Sequence, residues 1–256
     1  MKLFFRGVAR RILSATGLQI RLTSEPVPIY DVLEIDLVEP AIRDLAFRLG
    51  RKPKVVQVGA SDGKSEDPLY QLIKDDLVDA VLVEPLPESF AKLQALHKDR
   101  QNVRLKNCAV SLGPSELEIY CIREPSGRIR YSPVSSFDRD LVERHMNAMK
   151  SANVDENTDG LYLDSITCPA LTVKEVISEA GWANADALIV DAEGLDHEIV
   201  LGSLEAGLEF DLVFLEVFFV SLRDYPSLIR KFAEYGYGSA RSGKDLLLAK
   251  KLKPNS

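Results

Sequence analysis

At 256 residues, 46% of them apolar, the chain can fill one large core and lies near the upper size for a single one. Its 39 acids against 32 bases leave a net charge of −7, which excludes a general nucleic-acid binder, because neutralising phosphates takes a basic face. Three cysteines (Cys108, Cys121 and Cys168) without a CxxC or Cys/His cluster exclude a disulfide scaffold or zinc module and imply a reducing, cytoplasmic setting.

The first 24 residues carry Lys2, Arg6, Arg10, Arg11 and Arg21 and no acid, and Phe4, Val8 and Ile12 recur on one helical face. A basic amphipathic helix with its lead-in is expected over 1–50. Its sharper reading is a peripheral membrane contact through residues 1–22; the plainer one is a helix packed on its own domain or on a partner subunit in a homo-oligomer. The arginines interrupt the early apolar stretch, and no uncharged run approaches the roughly 20 residues that cross a bilayer, so a soluble, unsecreted protein is expected.

A single α/β domain is expected over 51–256. From Lys54 onward short apolar runs alternate with segments of helical period, the pattern of βαβ units and a doubly wound, mostly parallel sheet. Strands are predicted at Lys54–Val58, Ala80–Glu84, Val103–Val110, Ala187–Asp191 and Leu212–Val217, each a continuous aliphatic run suited to burial on both faces. Helices are predicted at Pro68–Lys74, Pro87–His97, Val173–Ala180, Asp196–Leu204 and Ser221–Tyr235. Asp67 before Pro68 reads as an N-cap, Thr172 with Glu175 as a capping box, and Gly181 as a stop.

Glu116–Ile122 alternates as an extra strand, and a long polar stretch over about 123–166 then reads as an inserted substrate or lid segment, with a helix from Arg139 to Lys150. The end of the chain, from Gly236 through Leu246–Ala249, predicts a hairpin that gives the sheet an antiparallel last strand.

The chemistry gathers at strand ends. The first strand runs into Gly59-Ala60-Ser61-Asp62-Gly63, where glycine allows a sharp turn close to a cofactor. A dinucleotide fingerprint would need glycine at Ser61 and Lys64. A P-loop would need one more residue before Gly63-Lys64-Ser65, and Glu66 and Asp67 would repel phosphates. S-adenosylmethionine has no phosphate and carries a positive sulfonium, so acids around the loop suit it. Glu84 ends the second strand, placed to accept from both ribose hydroxyls.

Asp191 ends the strand 187–191 and Glu193 follows it, and alternation would turn both to one side, where they could attract a sulfonium and accept a hydroxyl proton. His197, four residues beyond Glu193, could face the same site. Glu216 ends the next strand and could line an acceptor pocket. No metal ligand set is recognisable; the alternative is a divalent ion on Asp191, Glu193 and Glu216 that polarises the acceptor oxygen. Two other functions stay open on the residues alone: an NAD(P)-dependent oxidoreductase sharing Glu84, and a silent binding module.

The strings VVQVGASDG, LVEP, KNCAVS, LTVKEVI, LIVDAEGLDHEIV and LVFLEV stand in the order and spacing of the FkbM family of methyltransferases, and the resemblance covers about residues 54 to 250. GASDGKSEDPLY is similar to a GANDGxxxDP variant, and PVSSFDRD before a basic helix resembles the same subgroup. The resemblance implies a class I methyltransferase (Rossmann-like) fold of seven strands, S-adenosylmethionine as cofactor, and O-methylation of a glycan or small-molecule hydroxyl.

By that likeness Gly59, Ser61 and Gly63 would cradle the methionine part, Glu84 the ribose, and Cys108 and Ala109 the adenine edge, with Gln57, Ala60, Asp62 and Pro85 also in the cofactor site. Asp191 would complete the cofactor site and, with Glu193 and His197, supply catalysis. Gln57 stands where the family has an acid, and lacks the charge that attracts the methionine amino group; Ser61 replaces asparagine.

Overall fold

The computed structural model describes residues 37–65, 67–130, 135–152 and 160–250. The predicted N-terminal amphipathic helix and parts of the inserted segment lie outside them. Seven strands form one sheet, and three more form a smaller one.

β1 (Lys54–Val58) pairs in parallel with β2 (Asp79–Val83) on one side and β7 (Ala187–Val190) on the other. β3 (Val103–Lys106) and β8 (Leu212–Glu216) extend the parallel array at either side. β9 (Tyr237–Ser242) and β10 (Asp245–Lys250) form the expected hairpin, and β10 inserts antiparallel between β8 and β9. This is the expected doubly wound, mostly parallel seven-stranded sheet with an antiparallel strand near one edge.

Strand alternation divides the core in two. Val56, Val58, Leu188 and Val190 pack with α5 (Val173–Glu179), α6 (Asp196–Glu205) and α7 (Tyr225–Glu234). Val55, Leu82 and Ile189 pack with α1 (Val38–Leu49) and α2 (Tyr70–Lys74), joined by Leu93 of α3 (Pro87–His97). Gln57 shares strand parity with Val55 and so belongs to the α1/α2 face, where it is buried.

Helix starts depart from expectation where a side chain closes a turn first. Asp67 does not cap a helix at Pro68: its Oδ1 accepts the Leu69 N–H at 2.7 Å, and α2 begins only at Tyr70. Ser221 likewise accepts from the Asp224 N–H, and α7 begins at Tyr225. The Thr172–Glu175 capping box is present in both directions.

The predicted strand 103–110 is two strands. Asn107 interrupts it by donating its side-chain amide to Glu84 O and Pro85 O, and β4 (Ala109–Val110) leaves for the small sheet. There β5 (Glu116–Arg123) pairs antiparallel with β6 (Tyr162–Leu171) over its full length. The polar stretch therefore ends before Tyr162 rather than near Ile166, and it contains α4 (Arg139–Ala152). No helix among the described residues is long and apolar enough to cross a membrane.

Candidate active site

The carboxyl ends of β1, β2, β7 and β8 bring the predicted acids to one edge. After Val58 the chain folds onto β2: the N–H groups of Gly59 and Ala60 both donate to Val83 O, at 2.9 and 3.0 Å. The Ser61 N–H donates to Glu84 Oε2 at 2.8 Å, and the Leu86 N–H to Glu84 Oε1 at 2.9 Å. Gly63 N–H returns to Ala60 O, and Asp62 Oδ1 accepts from Lys64 and Ser65 N–H. The loop's donors named here are thus all spent inside the protein.

The glycines answer to packing. Gly59 has φ +81°, and a Cβ there would overlap the carbonyl oxygen of Asp191; one at Gly63 would overlap Leu93. The close approach expected of a bound cofactor at Gly59 is taken by β7 itself, whose Asp191 N–H donates to Val58 O at 3.0 Å.

Beyond Val190 the strand gives way to a turn in which Glu193 (φ +48°) and Gly194 (φ +111°) take left-handed conformations. Strand alternation therefore ends before Glu193, and it is this turn that sets Glu193 near Asp191. The turn is held by Asp196, which is 2% exposed and accepts the N–H groups of Ala192 and Gly194 at 3.2 and 3.1 Å. Ser136 closes it from the inserted segment, its Oγ donating to Glu193 O at 2.8 Å.

Crowding of like charges shapes the electrostatics. Burial, with Asp191 as like-charged neighbour, pushes Glu84 up to about 7 and Asp196 to about 7. Glu193 rises to about 8 through burial and then Asp191, Glu216 and Asp196. Asp191 is exposed as a residue, yet lost hydration at its carboxylate, then Glu216, raises it to about 6. Lys244, from the turn between β9 and β10, pairs with Glu216 at 2.5 Å and opposes these upward shifts at Asp191 and Glu193.

Asp191, Glu193, Glu216 and Glu84 are therefore coupled at one edge. His197 is half-buried in the first turn of α6, and no hydrogen bond or ion pair joins it to Asp191 or Glu193. Cys108 is buried with its thiol pushed up to about 11, and Ala109 is buried beside it in β4; Pro85 is half-buried. Among the described residues no three His, Cys, Asp or Glu side chains form a group that could hold a metal ion. Arg128 and Arg130 both pair with Glu124.

Asp196, Ser136 and Lys244 escaped the sequence reading. Asp196 resembles any acid in a helix's first turn, though a carboxylate just after a Glu-Gly turn is a usable signal. Lys244 reaches the acids through the pairing of Asp245 with Glu216, a register that local sequence does not encode.

Residues 57–238 match the Methyltransferase FkbM domain. Among solved structures, the FkbM methyltransferase of Methylobacillus flagellatus KT is 13% identical, with a TM-score of 0.43; the alignment covers 77% of this chain and 43% of that one. The precorrin-6y C5,15-methyltransferase of Geobacter metallireducens GS-15 is 9% identical, covering 86% and 94%, with a TM-score of 0.39. Fibrillarin of Aeropyrum pernix, solved with natively bound S-adenosyl-L-methionine, is 11% identical, covering 77% and 65%, with a TM-score of 0.35. No curated protein matches the sequence.

Proposed function

The chain belongs to the FkbM methyltransferase family, and on that premise we propose that it transfers the methyl group of S-adenosylmethionine to a hydroxyl oxygen of a glycan or small metabolite. The supporting observation is the state of the loop after β1. The N–H groups of Gly59, Ala60, Ser61 and Gly63 are spent on Val83, Glu84 and Ala60, and the edge beyond is lined by Glu84, Asp191, Glu193 and Glu216. A diphosphate needs free N–H donors and positive charge there. A sulfonium and a ribose need carboxylates, so the residues fit S-adenosylmethionine and disfavour a nicotinamide dinucleotide.

Glu84 has one lone pair on each oxygen engaged by a backbone N–H and others free, which suits it to accept from ribose hydroxyls. When bound, the donor supplies an electrophilic methyl carbon on a cationic sulfur. Asp191 is the acid that is ionised near neutral pH while still basic enough to take a proton, whereas Glu193 at about 8 is mostly protonated there. As the acceptor oxygen bonds to the methyl carbon and the carbon–sulfur bond breaks, Asp191 takes the hydroxyl proton. The products are a methyl ether and a neutral thioether.

The contact of Ser136 with the Glu193 turn supports the inserted segment as part of the acceptor wall. The test is calorimetric titration with S-adenosylmethionine, S-adenosylhomocysteine and NADH, followed by methyl transfer to a panel of hydroxyl acceptors. Binding of the first two without NADH is expected; binding of NADH alone would overturn the reading. D191N should still bind S-adenosylhomocysteine, whose sulfur is neutral, and lose transfer; full activity in that variant would remove Asp191 as the base.

A further inference from the structure

Gln57 is 3% exposed, and its Oε1 has no hydrogen-bond partner among the described residues. A buried amide oxygen left unpaired costs about 1–3 kcal/mol, so its orientation needs a reason. The reason lies at the other end of the same amide. Nε2 donates to Asp67 Oδ2 at 3.2 Å, and turning the amide over would set its oxygen against that carboxylate.

Asp67 comes from the far end of the loop. Its Oδ1 accepts the Leu69 N–H, its backbone carbonyl accepts from Tyr70, and Gln57 fixes Oδ2. The carboxylate is thus held beside the strand position two residues ahead of Gly59, and the residue is partly open to solvent. Asp62, the other acid of the loop among the described residues, is spent on Lys64 N–H, Ser65 N–H and Ser65 Oγ. Asp67 Oδ2 has a single side-chain donor and keeps accepting capacity.

We propose that Asp67, held in place by Gln57, is the carboxylate that receives the α-ammonium group of the cofactor's methionine part. The proposal rests on the reading of S-adenosylmethionine as methyl donor. It resolves the departure noted at 57: the negative charge that residue lacks is delivered ten positions later in sequence and is tied back to it by one hydrogen bond. Burial raises the pKa of Asp67, the neighbouring Asp62 adds to the rise, and no Lys, Arg or His among the described residues forms an ion pair with it. A bound ammonium would supply that missing counter-charge.

The test is calorimetry on the full chain with S-adenosylhomocysteine, its deaminated analogue, and methylthioadenosine, which keeps the nucleoside and thioether but has no amino-acid part. D67N should weaken S-adenosylhomocysteine about tenfold or more, as loss of a charge-assisted hydrogen bond does, and leave methylthioadenosine unchanged. Deamination should weaken binding to the native chain and cost nothing further in D67N. Q57L should weaken S-adenosylhomocysteine by a smaller factor, and the exchange Q57E/D67N, which moves the charge back to the strand, should recover much of the loss.

Equal weakening of S-adenosylhomocysteine and methylthioadenosine in D67N and Q57L would assign the pair to loop folding alone and overturn the proposal, as would no weakening of either. A native chain that binds none of the three ligands would overturn the cofactor reading itself.

Discussion

Glu84 receives the backbone N–H of Ser61 at 2.8 Å, so the acid at the tip of β2 also sets the loop that leaves β1. Shape and recognition are joined in one carboxylate, which is 5% exposed. E84Q keeps a single acceptor oxygen and places an amide against one of two N–H groups. Its affinity for S-adenosylhomocysteine should fall at least about tenfold, with a lower Tm, because a buried N–H is left facing a donor. Titration calorimetry and a melting curve check both; unchanged affinity would remove Glu84 from the cofactor site.

Gly59 is irreplaceable for a reason that lies within the protein. G59A would drive a methyl group into the Asp191 carbonyl at φ +81°, and should cost about 3 kcal/mol or more. Gly207 has the same φ of +81° with nothing near its missing Cβ. G207A should therefore cost only about 1 kcal/mol, the backbone penalty alone. Chemical denaturation of the two variants separates collision from conformation; equal losses would contradict the packing argument.

Much of this was legible in the sequence because it is periodic or local. The runs at Lys54–Val58 and Ala187–Val190, the capping box at Thr172 and the terminal hairpin all follow from short-range rules. β6 was hidden because Tyr162, Asp164, Ser165 and Thr167 leave it only half-buried, so its polar residues read as a loop. The acids at 84, 191 and 216 were visible as strand ends. Their mutual coupling, the Asp67–Gln57 bond and the approach of Lys244 depend on which strands lie side by side, and that register is a long-range property.

The coupled acids predict an unusual pH profile for the unliganded chain. Glu84, Asp191, Glu193 and Asp196 titrate between about 6 and 8 when folded, and near 4 when unfolded. Between those limits the folded chain holds protons that the unfolded chain has released, so stability falls as pH rises through the window. Asp186 is shifted downward and acts oppositely, its contribution being lost only as pH falls below about 4. The Tm should peak at about pH 4 to 5 and decline towards pH 8. E193Q should flatten the decline and raise Tm at pH 8, and a native Tm that climbs from pH 6 to 8 would contradict the coupling.

At the opposite end of β7, Asp186 receives two guanidinium N–H groups of Arg51 and the Lys54 N–H, each at 2.7 Å. The carboxylate is 6% exposed while Arg51 is 48% exposed, so the two partners are unequal. D186A strands the partly buried Lys54 N–H and should cost about 3 kcal/mol. R51M leaves a carboxylate that still has its backbone donor and should cost less. Because the pair lies at the amino end of the strands, S-adenosylhomocysteine affinity of the folded variants should be unchanged; a loss there would mean that this end communicates with the site.

Lys244 and the sulfonium compete for the same acids. The ammonium pairs with Glu216 and acts on Asp191 and Glu193, so it offsets part of the field that would hold a cationic sulfur. S-adenosylhomocysteine has the same skeleton with a neutral sulfur, and the ratio of the two affinities therefore reads that field directly. K244M should raise the preference for S-adenosylmethionine by about three- to tenfold, the range for one partly exposed charge a few ångströms away. E216Q should lower it, since it removes an acid and releases the lysine towards Asp191. Ratios that move together in the two variants would show that Lys244 and Glu216 act on shape, and that the acids at this edge do not select the charged donor.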